Sequence, residues 1–155
     1  MKECVLVLDN IRSVENAGSI FRTADGLGVS KIILVGTTPA PLDRFGRKRK
    51  DFAKVSLGAE ESVRWQYEKD IEVAIQFLKK ESFSIIALEQ TNHSKDIKDF
   101  KASDKFALVV GNEVDGVSKV ALDLADEVVE ISMTGTKKSL NVSVAAGVAI
   151  FKLLK

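Results

Sequence analysis

The chain has 155 residues, 45% of them apolar, with 23 basic against 22 acidic side chains and a single cysteine, Cys4. That length predicts one domain, spanning residues 1–155, with a substantial core. Near-neutral charge excludes a global field that would draw in nucleic acid, and one cysteine excludes an internal disulfide framework. The cysteine usage and the lack of a signal-peptide pattern point to a reducing cytoplasm. No apolar run reaches membrane-spanning length, and Cys4 with the lone His93 forms no metal-ligand cluster, so no metal is expected.

Cys4–Leu8 is a short continuous apolar run, the pattern of a strand buried on both faces of a parallel sheet. From Asn16 to Gly28, Ala17, Ile20, Phe21 and Ala24 recur at helical spacing, leaving Asn16, Ser19, Arg22 and Thr23 on the polar side. Lys31–Val35 reads as a second buried strand, so the chain begins β-α-β. A long irregular connection is expected between Gly36 and Gly58, rich in basic residues, and loops of that length tend to be functional or disordered. A short strand over Val63–Tyr67, a helix through Ile71–Leu78 and a strand over Phe83–Leu88 follow. Beyond a polar loop come a buried strand at Phe106–Val110, a glycine-bounded turn at Gly111–Gly116, a short helix over Val117–Leu124 and a strand at Glu127–Ile131. Val142–Leu154 is apolar almost throughout, which predicts a helix buried on nearly every side.

The expected class is therefore α/β, a mostly parallel sheet flanked by helices in a Rossmann-like arrangement. In such sheets ligands bind beyond the carboxyl ends of the strands. Three polar clusters fall there or on the adjoining helix: Asn16 with Arg22, the loop Gly111–Gly116, and Lys138–Asn141 at the mouth of the last helix. No dinucleotide fingerprint is present, because Gly26 and Gly28 follow a helix instead of opening one. Ordinary roles compete for each residue. Asn16, Ser139 and Asn141 could be helix N-caps, Arg22 an exposed helix-face arginine, and Glu113 a loop carboxylate.

Three segments carry a resemblance. Asn16-Ala-Gly-Ser-Ile-Phe-Arg22-Thr-Ala24, Gly111-Asn112-Glu113-Val-Asp-Gly116-Val-Ser118, and Ile131-Ser-Met133 leading to Ser139-Leu140-Asn141-Val142-Ser143 resemble the three motifs of the SpoU (TrmH) family. These are RNA ribose 2′-O-methyltransferases of the SPOUT superfamily. The likeness also takes in Lys54–Glu60 and Trp65, and so covers nearly the whole chain. It implies an S-adenosylmethionine-dependent enzyme acting on tRNA or rRNA, a homodimer, and a C-terminal trefoil knot that runs against the usual absence of knots. It also implies a single catalytic domain without a separate RNA-binding domain.

By the same resemblance Arg22, Asn16, Glu113, Ser139 and Asn141 serve catalysis. Leu88, Gly111, Ile131, Met133, Ser139 and Leu140 receive the cofactor in a bend formed by three loops, with Leu88, Ile131, Met133 and Leu140 suited to wall a flat adenine. Ser132 stands where the family commonly has proline, which bears on the stiffness of the cofactor loop. A ribose hydroxyl must lose its proton as it attacks the methyl group, so positioning and proton removal are the main tasks. A guanidinium is an unusual base, and the reading for Arg22 is bidentate fixing of a phosphate and the hydroxyl. Glu113 would hold Arg22 or a backbone amide.

The run Arg44, Arg47, Lys48, Arg49, Lys50 and Lys54, interleaved with Phe45 and Phe52, offers phosphate neutralisation and base stacking for RNA. Lys137 and Lys138 add charge nearby. The alternative from another class is an RNA-binding or ribosome-associated module that keeps the fold without methyl transfer. Cofactor binding by the purified protein separates the two.

Overall fold

The computed structural model describes residues 1–155 and opens on β1 (Glu3–Asp9), α1 (Val14–Leu27) and β2 (Lys31–Val35). Next come α2 (Lys50–Ser56), α3 (Ala59–Ser62), β3 (Trp65–Glu68), α4 (Ile71–Lys80), β4 (Ser84–Leu88) and β5 (Lys95–Asp96). The chain closes with β6 (Lys105–Gly111), α5 (Lys119–Leu124), β7 (Glu127–Glu130) and α6 (Val142–Leu154). The strands form one seven-stranded sheet in the order β3-β2-β1-β6-β4-β7-β5. All pairings are parallel, so every carboxyl end lies on the same edge.

Continuous apolar runs suit this sheet because helices cover both faces. Alternate residues of each strand point to opposite sides. Leu6, Leu8, Ile32, Leu34, Leu108 and Val110 join Ile20 and Phe21 of α1 and Ala149 and Ile150 of α6 in one core. Val5, Val7, Ile33, Val35, Ala107 and Val109 join Ala74, Ile75 and Leu78 of α4 and Ala121 of α5 in the other. The direction of chain progression reverses between β1 and β6, whose ends Asp9 and Gly111 are register partners. A switch of this kind opens a crevice at the carboxyl edge.

The structure departs from the sequence expectations at four places. The connection from Gly36 to Gly58 is not irregular throughout, since it contains α2 and places Lys50 and Lys54 on a helix. This short helix is held by packing more than by propensity: Phe52 is fully buried, with its ring edge-on to Phe21 at 5.1 Å. Phe52 is therefore unavailable to stack on RNA. The two-residue strand β5 was not foreseen, because Lys95 and Asp96 carry no apolar signal and only pairing with β7 makes them a strand.

The helix α6 is not buried on every side. Ala146, Ala149, Ile150 and Leu153 face the core, but Val144, Val148 and Phe151 are 51%, 43% and 56% exposed. Apolar composition cannot tell a face covered by the chain's own elements from one left open. Finally, α1 begins at Val14 with Ser13 as its cap, the Ser13 side chain accepting from the Asn16 N–H. Asn16 is thus inside the helix, and its own side chain is released for other contacts.

Candidate functional site

At the carboxyl edge the loops after β4, β6 and β7 and the entrance of α6 enclose a cavity of about 730 Å³. Leu88, Gly111, Ile131, Met133, Ser139 and Leu140, the six residues assigned to the cofactor from sequence, all line it. Glu113 and Asn141 line it as well, while Asn16 and Arg22 do not. Apolar side chains from three separate loops supply flat walls, and the loop backbones supply polar edges, which suits an aromatic heterocycle carrying a polar tail.

The rim is a chain of hydrogen bonds that joins the three polar clusters. Glu113 accepts from the backbone N–H of Arg12 at 3.0 Å and of Ser13 at 2.9 Å. These donors belong to the start of α1, where unpaired N–H groups and the helix dipole favour a carboxylate. Asn16 Nδ2 donates to Glu113 at 3.3 Å, and its Oδ1 accepts from Asn141 Nδ2 at 3.1 Å. Asn141 in turn caps α6, its Oδ1 accepting from the N–H of Ser143 at 2.9 Å and of Val144 at 3.4 Å. Capping and site assembly are therefore both done by Asn141, and the N-cap alternative holds for it but not for Ser139. Partial desolvation pushes the Glu113 carboxyl up, but the N–H groups of Arg12 and Ser13 and the Asn16 amide outweigh it, holding Glu113 below its ordinary 4.5.

Of the two partners foreseen for Glu113, the structure thus selects backbone amides and not Arg22. Arg22 projects from α1 into solvent, and it forms neither a hydrogen bond nor an ion pair within the chain. Its neighbour Thr23 lies with Gly26 and Leu27 along a groove bordered by Gly147, Val148 and Phe151 of α6.

Several residues that hold the cavity were not singled out from sequence. The buried Asp9 accepts from the Ser118 N–H at 2.8 Å and from Asn10 Nδ2 at 3.0 Å, pinning the entrance of α5 to the end of β1. Asn112 Nδ2 donates to the Asn10 carbonyl at 2.9 Å. Glu89 accepts from the Val117 N–H at 2.9 Å, and Gln90 Nε2 donates to the Lys138 carbonyl at 2.9 Å. The only advance signal was position, since Asp9, Asn10, Glu89 and Gln90 end or directly follow buried strands. Ser132 donates to Asp96 at 2.6 Å, and that bond with the Lys98 N–H holds the Asp96 carboxyl below its ordinary value. The hydroxyl ties the loop after β7 to β5.

Gly111 has a reason internal to the protein. A Cβ there would come within 2.1 Å of the Gly116 carbonyl carbon and of the Val117 nitrogen, both backbone atoms. The turn folds back so tightly, with Asn112 and Gly116 exchanging backbone hydrogen bonds of 3.1 and 2.9 Å, that no side chain fits. The six basic residues of the 44–54 segment are less free than their number suggests. Arg47 pairs with Asp43, Lys48 with Glu61 and Arg49 with Asp51, whereas Arg44, Lys50 and Lys54 form no ion pair.

Comparison with known proteins agrees with this geometry. The chain is 33% identical over 151 residues to a putative TrmH family tRNA/rRNA methyltransferase of Staphylococcus aureus, covering 97% of this chain and 58% of that protein. It is 34% identical over 146 residues to the 23S rRNA (guanosine-2′-O-)-methyltransferase RlmB of Neisseria meningitidis, covering 94% of this chain and 56% of the relative. The chain therefore spans somewhat over half the length of these relatives. The AdoMet-bound rRNA methyltransferase of Sinorhizobium meliloti superposes with a TM-score of 0.86 at 27% identity, over 97% of this chain and 55% of that one. The TrmH/SpoU tRNA modifying enzyme of A. aeolicus gives 0.83 at 28%, over 98% and 74%. Residues 3–151 match the model of the SpoU rRNA Methylase family, and the chain belongs to that family.

Proposed function

We propose that this protein transfers a methyl group from S-adenosylmethionine to a ribose 2′-hydroxyl of tRNA or rRNA. The observation that carries the reading is the convergence of three distant segments. Glu113, Asn16 and Asn141 form one hydrogen-bonded chain, and two of them line the 730 Å³ cavity. The residues present fit the cofactor, with Leu88, Ile131, Met133 and Leu140 walling the adenine and Ser139 at the polar mouth. S-adenosylmethionine supplies an electrophilic methyl group on a sulfonium centre. The chain's own task is to hold the ribose hydroxyl in line and to stabilise the oxygen as its proton leaves.

Arg22 is proposed for that task. Its rigid fork holds a phosphate and the neighbouring hydroxyl together, which a lysine cannot reproduce. Because Arg22 does not line the cavity of its own chain, we place it in the site of a second protomer. The open stripe Val144, Val148 and Phe151 on α6, at i, i+4 and i+7, supports a homodimer through this face. Asn16, Glu113 and Asn141 then fix the ends of α1 and α6 that meet there. The basic segment from Arg44 to Lys54 receives the RNA. We further propose that the chain is knotted. The strand β7 inserts between β4 and β5, which residues 89–94 connect, and the segment leading to α6 threads through that connection. The 155 residues form one catalytic unit.

The test is transfer of labelled methyl to unmodified tRNA and rRNA pools. Native protein should place label in a nuclease-resistant 2′-O-methylated dinucleotide, and Arg22→Ala should lower the rate by about 10²–10³. Near-normal turnover of Arg22→Lys would defeat the bidentate role. For the dimer, the sedimenting mass should be twice that of the chain and should fall towards one chain in Val148→Asp.

A further inference from the structure

The tip of the connection after β2 is built to present one aromatic ring. Asp43 begins a tight turn in which the Gly46 N–H donates to the Asp43 carbonyl at 3.0 Å and the Asp43 N–H to the Arg47 carbonyl at 2.8 Å. Leu42 and Lys48 form an antiparallel bridge behind it, and Gly46 takes a positive φ of 77°. This is a three-residue hairpin tip with its left-handed glycine. The Asp43 side chain locks the tip, accepting from the N–H of Phe45 at 2.8 Å, the N–H of Arg47 at 2.9 Å and Arg47 Nε at 2.9 Å. The Arg47 N–H foremost, then that of Phe45 and the Arg47 guanidinium, hold this carboxyl below its ordinary value against slight desolvation.

At the apex stands Phe45, 66% exposed. The guanidinium carbons of Arg44 and Arg47 lie 4.8 and 5.0 Å from its ring centroid. A single exposed apolar residue is ordinary. An exposed ring flanked by two guanidiniums within about 5 Å on a rigid turn is a stacking platform, because aromatic faces and planar guanidinium groups both carry bases. The surrounding charge favours a nucleotide over a protein partner.

We propose that Phe45 is a subsite for one unpaired nucleobase of the RNA, with Arg44, which has no acidic partner, swinging onto the adjoining phosphate. The proposal rests on the RNA reading above. It requires a base out of its helix, since bases inside an A-form stack offer no free face. The platform is also tied to the catalytic helix. The segment continues directly into α2, whose Phe52 packs on Phe21, the residue next to Arg22. A base held at Phe45 therefore sets the register of the strand relative to Arg22.

The test compares two probes on the full chain: an unstructured oligoribonucleotide of about a dozen residues and an abasic ribose-phosphate oligomer of equal length. Phe45→Leu keeps the turn and removes the ring. It should weaken the base-bearing oligomer about tenfold or more and the abasic one by less than about twofold. Phe45→Trp should restore binding, and its indole fluorescence should be quenched by the base-bearing oligomer alone. Equal weakening of both probes, or of neither, would overturn the stacking role while leaving methyl transfer to RNA standing. Native protein that bound neither oligomer and methylated no RNA would overturn both readings.

Discussion

Two short polar loops, Gly111–Val117 and Asp43–Arg47, share a local lock, Asn112 accepting from the N–H of Val114 and Asp115 and Asp43 from those of Phe45 and Arg47, but differ in what else holds them. The first is also held from afar. Glu89 grips its Val117 N–H, Asn112 reaches the Asn10 carbonyl, and Glu113 reaches the start of α1. The second is held by itself, with Asp43 accepting from residues two and four positions on. The first loop accordingly transmits its shape to three other elements and forms part of a cavity wall. The second keeps its shape wherever it sits and can project into solvent. A pocket needs long-range closure, whereas a platform for a large ligand needs only local rigidity.

The largest test of this contrast is a pair of glycines. In Gly111→Ala the new Cβ would meet backbone atoms that cannot withdraw, and urea unfolding should show a loss of about 3 kcal/mol. In Gly46→Ala the space is open but φ is positive, so the cost should be the conformational one alone, about 1 kcal/mol. Equal losses at the two sites would erase the distinction. Cofactor affinity should fall in the first variant and stay unchanged in the second.

Glu113→Gln probes the long-range tie more gently. The freed N–H groups of Arg12 and Ser13 lie near water, so stability should drop by only about 0.5–1 kcal/mol, while methyl transfer falls further because α1 and α6 lose their common anchor. The same carboxylate gives a pH signature. Its folded value lies below the ordinary 4.5, so its contribution is complete at neutral pH and is lost as pH falls through the folded value. Native protein should therefore lose more of its melting temperature than Glu113→Gln between about pH 5 and about pH 3. Other lowered carboxylates, such as Asp96, titrate equally in both proteins. The smallest effect belongs to Asp43→Ala. The melting temperature should hardly move, yet the Phe45 ring should lose its fixed orientation, read as averaged ring chemical shifts and weaker oligonucleotide stacking.

The long buried strands were legible because parallel sheets demand unbroken apolar runs, and Cys4–Leu8, Lys31–Val35 and Phe106–Val110 have no other good use. The cavity-lining residues Leu88, Gly111 and Ile131 were named through the family resemblance, and strand position by itself pointed only to the polar clusters, of which Gly111–Gly116 and Ser139–Asn141 reach the cavity. Much less visible were β5, whose two polar residues become a strand only by pairing with β7, and α2, whose basic residues concealed the burial of Phe52. The open face of α6 was misread for a related reason. An apolar residue declares that it seeks cover without saying whose.

By itself, then, the sequence determined the α/β class, the order of the main elements and the residue types of the three motifs, because these depend on local periodicity and chemical identity. Only the tertiary structure decided that Glu113 meets the start of α1, that Asn16 bridges it to Asn141, and that Arg22 stands apart from the cavity of its own chain. These are meetings between residues as many as 125 positions apart. Their direction is set by how the sheet and its helices pack, which no local pattern encodes.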